Sequence, residues 1–395
     1  MEEFKTYLME DLIEEIAMGP FGSNIKVDCF VNFGVPVLNG ANLQGYKLYE
    51  DSFNYVTTEK ANSLNKANAY RGDIVITHRG TLGQIVYIPK DSKYERYVIS
   101  QSQFRVRVNP KIALPEYVVF YFHTRVGQHR LLANASQVGV PAIARPTTTF
   151  KKVEIELPSL KEQERIVRIL NSLSDKIELN NRINHNLLNL AQELFNNSFV
   201  KNSCCSDTCR AASLLDIAEY LNGLAMQKYP ATDGEVGIPV LKIKELGQQA
   251  CDANSDKCSE SIPAQYVVND GDIIFSWSGT LLVDFWCGGI CGLNQHLFKV
   301  SSDKFPNWFV YFWTKHHLDR FIRIAKDKAV TMGHIKRGDL GKAEVIIPEA
   351  SQMGELDEEI RPLISEYIDR RVENRKLRNL RDSLLPELML GNLTF

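Results

Sequence analysis

SLKEQERIVRILNSLSDKIELNNRINHNLLNLAQELFNN, residues 159–197, brings apolar residues back at alternating steps of four and three. Ile166, Leu170, Leu173 and Ile177, then Leu187, Ala191 and Leu194, fall on one helical seam, a heptad pattern. Between its apolar ends the seam passes through Asn180 and Asn184, and Asn there lowers stability while fixing register and partner choice. Pro158 stops what precedes, and Ser159 with Glu162 is placed to form a capping box. At about 1.5 Å per residue the helix is expected to approach 60 Å, more than a globular core needs.

The chain repeats this stretch 190 positions on, with Pro348 answering Pro158. Leu356, Ile360, Leu363 and Tyr367 answer Ile166, Leu170, Leu173 and Ile177. Asn374, Leu377, Leu380 and Leu384 answer Asn184, Leu187, Leu190 and Leu194 without a gap. Two such seams most simply pack on each other; the alternative is an ordinary amphipathic helix on each of two domains. An antiparallel pair would carry the flanking blocks to opposite ends of a rod, related by a pseudo-twofold axis.

Those blocks repeat too. Gly34-Val35-Pro36-Val37-Leu38 returns as Gly237-Ile238-Pro239-Val240-Leu241. Gly72-Asp73-Ile74-Val75-Ile76, then three residues, then Gly80-Thr81-Leu82 returns as Gly271-Asp272-Ile273-Ile274-Phe275, three residues, Gly279-Thr280-Leu281. Gln101, Phe104 and Arg105 return as Gln295, Phe298 and Lys299, and Pro115 before an aromatic helix returns as Pro306 before Trp308, Tyr311 and Phe312. Short β-rich runs with one helical interruption read as α+β. The expected organisation is a block at 1–157, a long helix at 158–200, a linker and second block at 201–347, and a second long helix with a tail at 348–395.

With 395 residues, 44% of them hydrophobic, the chain can bury more than one core. The acidic start MEEFKTYLMEDLIEEIAMG has neither part of a signal peptide, and no apolar run approaches membrane-spanning length, so a cytoplasmic protein without a membrane partner is expected. Eight cysteines, among them Cys204, Cys205, Cys209, Cys287 and Cys291, form no CxxC and read as reduced structural thiols. The net charge of −2 averages over long helical faces and conceals local runs. Tyr117–Val153 has no acidic residue but holds His123, Arg125, His129, Arg130, Arg145, Lys151 and Lys152. Lys315, Arg320, Arg323, Lys326, Lys328, Lys336 and Arg337 crowd the matching place, diluted by Asp319, Asp327 and Asp339. Such runs suit phosphate contacts, or else a solvated helix face.

In each block the Gly-Asp-Ile strand ends in three residues before a Gly-Thr pair: Thr77, His78 and Arg79, then Ser276, Trp277 and Ser278. Gly80 and Gly279 permit positive φ, so the chain can reverse and push this tip outward. Asp73 and Asp272 read as turn residues bonding backbone amides. The tips read as recognition groups, since Arg79 could grip a guanine edge bidentately and Ser276 or Trp277 could not. Gln101, Gln295, His334 and the basic residues Arg145, Lys151, Lys152, Lys336 and Arg337 complete the candidate nucleic-acid contacts.

At these motifs the chain resembles a known family, the specificity subunits of type I restriction and modification systems, usually called HsdS. The resemblance rests on the duplicated block-helix plan and the Gly-Asp-Ile-Val…Gly-Thr-Leu-Gly frame at 72–83 with its copy at 271. It also rests on Leu-Pro-Ser-Leu-Lys-Glu-Gln-Glu-Arg-Ile at 157–166 and Ser-Leu-Leu-Pro-Glu-Leu-Met at 383–389. It implies a host-defence protein with two target recognition domains, each reading half of a bipartite double-stranded DNA target. It also implies antiparallel spacer helices that dock two modification (methyltransferase) subunits, with restriction subunits joining the full complex. The second helix start, Pro348-Glu349-Ala350-Ser351-Gln352-Met353, departs from the wording of the first, so the two starts need not meet partners alike.

The residues themselves show no catalytic chemistry: no phosphate-binding loop, no glycine-rich cofactor loop after a strand, no metal-ligand spacing and no amino-methyltransferase motif. A non-catalytic subunit without cofactor or metal is expected, with chemistry in its partners. A coiled-coil scaffold whose blocks bind protein is the alternative, and an enzyme with an unrecognised site a third.

Overall fold

A computed structural model describes residues 4–20, 22–136, 139–201, 209–327 and 334–393; Cys204, Cys205 and Lys328 lie outside them. The chain divides into two compact units, Met1–Ser174 with Leu380–Phe395, and Asp175–Asn379.

Both units use one plan. In the first, a four-stranded antiparallel sheet runs in the order Ile13–Met18, Gln103–Val108, Ile74–Thr77, Ile85–Tyr87. A second sheet runs Asn54–Val56, Val35–Val37, Arg96–Val98, Asn68–Tyr70, with its middle pair parallel. In the second unit the sheets run Glu219–Asn222, Leu297–Ser301, Ile273–Ser276, Leu282–Phe285 and Lys257–Cys258, Ile238–Leu241, Cys291–Leu293, Val267–Val268, again with the middle pair of the latter parallel. A two-stranded ribbon closes each block, Lys5–Leu8 with Glu154–Leu157 and Arg210–Ser213 with Glu344–Ile347. The repeat in sequence is thus a repeat in topology, down to the one parallel pairing.

The Gly-Asp-Ile strands show why both sequences are apolar without alternation. Ile74 and Ile76 join the core under the aromatic helix Pro115–Phe122, while Val75 faces Tyr97 and Val98 in the other sheet's core. Ile273 and Phe275 likewise face one core and Ile274 another. A strand buried on both faces has no polar side to show. Each such side chain contributes about 1.5–3 kcal/mol of burial. The aspartates close the preceding turns: the N–H of Tyr70 donates to Asp73 at 2.9 Å and that of Asn269 to Asp272 at 2.8 Å.

The long helices span Leu160–Asn196 and Ala350–Met389, 37 and 40 residues. Ser159 Oγ accepts from the Glu162 N–H at 3.4 Å, one half of the expected cap. Within the second unit the helices run antiparallel: Asn180 bonds Asn374, while later in the first helix Ala191 and Phe195 share a core with Ile360 and Ile364, earlier in the second. Within the first unit Ile166 and Leu170 share a core with Leu385, Leu388 and Met389. On the expected seam Ile166, Leu170, Ile177 and Ile360 are buried, while Leu173, Leu187, Leu194, Leu356, Leu363, Leu377 and Leu384 are half-buried.

Leu190 and Leu380, equivalent in the repeat, are both exposed, at 52% and 48%. Phe195 and Phe199 instead enter the second block's core against Phe309, Phe312 and Trp313, and their counterparts Leu385 and Met389 enter the first block's core. Each helix end rotates its apolar stripe by about one residue, from the partner helix onto a block.

Between the helices Asn180 Nδ2 donates to Asn374 Oδ1 at 2.9 Å and to Glu373 Oε2 at 2.7 Å. Asn374 Nδ2 donates to Asn181 Oδ1 at 2.8 Å, and Arg370 Nη1 to Asn180 Oδ1 at 3.0 Å. Asn180 and Asn374 are both at or below 1% exposure, so each amide depends on these partners. Asn180→Ala or Asn374→Ala should cost about 1–3 kcal/mol each by stranding the other's amide. The double variant should cost less than the sum of the two, in denaturant unfolding of all three proteins.

Candidate nucleic-acid interface

Each tip is held by two segments distant in sequence. In the first unit the His78 N–H donates to Ser102 O at 2.9 Å, the Ile143 N–H to His78 O at 2.9 Å and the Gly80 N–H to Pro141 O at 2.9 Å. In the second the Trp277 N–H donates to His296 O at 3.4 Å and the Ile335 N–H to Trp277 O at 3.2 Å. Isolated bridges pair Arg79 with Ala142 and Ser278 with His334. Within each unit three separate runs of candidates thereby meet in one surface, 77–79 with Gln101 and Arg145 in the first and 276–278 with Gln295, His334, Lys336 and Arg337 in the second. Gly80 at φ 90° and Gly279 at φ 63° make the reversals.

Within that surface the side chains divide. Arg79, Gln101, Arg145, His334, Lys336 and Arg337 are exposed. His78, Trp277 and Gln295 are half-buried; Gln295 Nε2 lies 3.4 Å from His296 Nε2. Thr77, Ser276 and Ser278 are buried, so these three are tip-shaping groups and not exposed ones as the sequence suggested. Thr77 Oγ1 donates to Gln84 Oε1 at 3.0 Å, and Ser276 Oγ to Thr280 O at 2.7 Å. A strand that ends beneath the tip buries its last hydroxyl, which must find a partner inside. Lys151 and Lys152 sit at the other end of the helix Pro146–Lys151 from Arg145, leading into Glu154–Leu157. Of the basic runs, His123 is spent on Ile85 O at 2.9 Å and Arg130 on Glu156 at 2.7 Å.

The two tips differ in kind. Trp277 Nε1 donates to Asn222 Oδ1 at 2.9 Å, and its ring lies among Phe298, His296 and His334. His78 Nε2 lies 3.2 Å from Gln101 O, and burial holds its pKa below the usual imidazole value. Beneath each tip runs an ion pair: Asp73 with Arg107 at 2.7 Å and Arg105 at 3.5 Å, Asp272 with Lys299 at 2.7 Å. Burial raises the Asp73 carboxyl, opposed by the Tyr70 amide and Arg107.

Sequence reasoning missed a cleft of about 620 Å³ beside the second tip, rimmed by Lys242, Lys244, Lys257, Ser278, Gln295 and His296. Lys242 pairs with Asp256, Lys244 with Asp252 at 3.5 Å, and Lys257 donates to Val236 O at 3.0 Å. The Gly-Val-Pro and Gly-Ile-Pro repeats and their strand registers put Asn39, Ala41 and Tyr55 where these lysines stand. Gln84 there donates to Gly40 O at 3.0 Å. The second block's rim carries three lysines where the first block has an asparagine, an alanine and a tyrosine. Aligning the blocks on those strands would have exposed the substitution.

Residues 25–189 match the family described as the type I restriction modification DNA specificity domain. The chain is 25% identical over 407 aligned positions to the type I restriction enzyme MjaIX specificity subunit of Methanocaldococcus jannaschii, covering 96% of this chain and 91% of that one. It is 28% identical over 133 positions to the HindI specificity subunit of Haemophilus influenzae, covering 33% of this chain and 28% of that one. Its fold matches the crystal structure of a type I restriction-modification S subunit from M. genitalium, with a TM-score of 0.63, 14% identity, and coverage of 98% and 96%.

The half-buried His78 predicts a pH effect. Its folded pKa lies below the unfolded value, so folding is indifferent to this group above about pH 6.5 and loses stability as pH falls below it. Urea unfolding at about pH 7.5 and about pH 5.5, on either side of that value, should show a smaller acid-side loss for His78→Gln than for the natural chain.

Proposed function

We propose that the chain, which matches the type I specificity domain over residues 25–189 and is similar along 96% of its length to a type I specificity subunit, is itself such a subunit and selects a bipartite, asymmetric DNA target, each repeated block reading one half. The blocks are residues 1–157 and 201–347. The long helices set the unread gap between the half-sites and dock two modification subunits, with restriction subunits joining the complete assembly. Methyl transfer and cleavage belong to those partners, since the sequence carries no nucleotide loop, metal spacing or methyltransferase motif. Among the described residues no helix is long and apolar enough to cross a membrane, and work on DNA implies a cytoplasmic protein.

The observation that supports this most is one backbone frame, tip plus glutamine loop plus post-helix segment, built twice and furnished differently. A frame that repeats while its exposed groups change suits two readings of one kind of ligand. Arg79 and Gln101 can bond base edges; Trp277, Gln295 and His334 offer a ring, an amide and an imidazole. The lysines of the second cleft suit backbone phosphates, which position without specifying.

The test is duplex binding by the chain complexed with its modification subunit. Arg79→Ala should weaken target binding by about 1–3 kcal/mol and relax one position of one half-site. Trp277→Ala should act on the other half-site alone. Lys242→Ala with Lys244→Ala should weaken all duplexes alike and reduce the salt slope by about 1 for each phosphate left without its lysine. Relaxation of both half-sites by either tip variant, or binding indifferent to sequence and salt, would contradict the proposal.

A further inference from the structure

The two blocks are fastened to their helices by different chemistry. In the first unit Gln163, fully buried, donates through Nε2 to Ile112 O at 3.0 Å and Pro158 O at 3.1 Å, and accepts from the Leu114 N–H at 2.9 Å. This glutamine of the Leu-Lys-Glu-Gln-Glu wording latches the first block to the start of its helix. Its counterpart is Met353, which can make none of these bonds.

Near the start of its helix the second block has instead Trp308 Nε1 donating to Asp357 Oδ1 at 2.8 Å, and further along that helix it is held by charge. Arg371 donates from Nη1 to Asp284 Oδ1 at 2.9 Å and to the Tyr367 hydroxyl at 2.8 Å, and from Nη2 to Gln249. One turn on, Arg375 grips both oxygens of Asp270 at 2.6 and 2.7 Å and donates to Cys287 O at 2.8 Å. Asp284 lies in a strand of the main sheet, Asp270 in the turn before the Gly-Asp-Ile strand and Gln249 after the helix Ile243–Gln248, so two arginines bind three separated parts of one block. Side-chain exposures of 13% and 23% for Arg371 and Asp284, and 26% and 28% for Arg375 and Asp270, separate these pairs from weak surface ones. The equivalent positions of the first half do not carry this clamp: Asn181 and His185 stand for the arginines, and the strand registers put Val86 where Asp284 is.

We infer that Arg371 and Arg375 are positioning residues that fix the second block's axial and rotational setting on its helix, and so fix the length of unread DNA that the protein accepts. Packing alone leaves a block able to rock about a helix; two forked contacts one turn apart remove that freedom. The inference rests on the DNA-reading proposal.

The test uses the complex with its modification subunit and duplexes whose half-sites are separated by the natural gap or by one base pair more or less. Methylation at the natural gap relative to the altered gaps should fall about tenfold for Arg371→Ala with Arg375→Ala, while the bases read in both half-sites stay the same. Arg375→Ala alone should shift the ratio in the same direction, and it decides the matter if the double variant does not fold. A folded variant with undiminished gap discrimination, or one that loses half-site bases together with gap preference, would overturn the inference. Failure of the underlying proposal would look different, because the natural complex would then methylate without regard to either half-site.

Discussion

The buried amide pair of Asn180 and Asn374 is the interaction on which the helix pairing turns. An apolar heptad seam is degenerate: sliding one helix by a heptad exchanges leucine for leucine at little cost. The amides break that degeneracy, because any slip parts Asn180 from Asn374 and leaves each in an apolar seam without a partner, at about 1–3 kcal/mol apiece. Glu373, Asn181 and Arg370 complete the set, so the polar centre is satisfied largely from within the helices themselves. With the register fixed, Phe195 and Phe199 reach the second block's aromatic core and Leu385 and Met389 the first's.

Duplication explains the frame, and divergence explains its use. Both blocks need a strand buried on two faces, an aspartate to close the turn before it, a cation paired with that aspartate beneath the tip and a positive-φ glycine beyond it. Those needs are met by the same residue types at both places. Nothing in them dictates what the exposed groups are, so Arg79 and Gln101 in one block and Trp277 and His334 in the other have been free to differ. The rims follow the same rule, with Asn39, Ala41 and Tyr55 in one block and lysines at 242, 244 and 257 in the other.

Legibility in the sequence followed the same division. The helix cap at Ser159, the repeat, the turn aspartates and the tip glycines are local or periodic features, and a chain read in one dimension displays them. The turn of the apolar stripe at Phe195 and Leu385 was hidden, because heptad counting assumes one partner along the whole helix and here the partner changes. The burial of Thr77, Ser276 and Ser278 was hidden too: a hydroxyl at a strand end reads alike whether it points to solvent or to Gln84. The lysine cleft and the arginine clamp join residues scattered from 242 to 375, and only folding brings them together. The departure of Met353 from Gln163 was visible, but not its reason, which lies in the loop carbonyls that Gln163 binds.

On the proposed function, this chain alone decides which DNA its partners modify. Methylome sequencing of cells expressing the modification subunit with and without this chain tests it most directly. The expected result is one asymmetric motif of two half-sites around a fixed unread gap, present with the chain and lost without it. A motif that persists without the chain, or a single uninterrupted or palindromic motif that depends on it, would contradict the account.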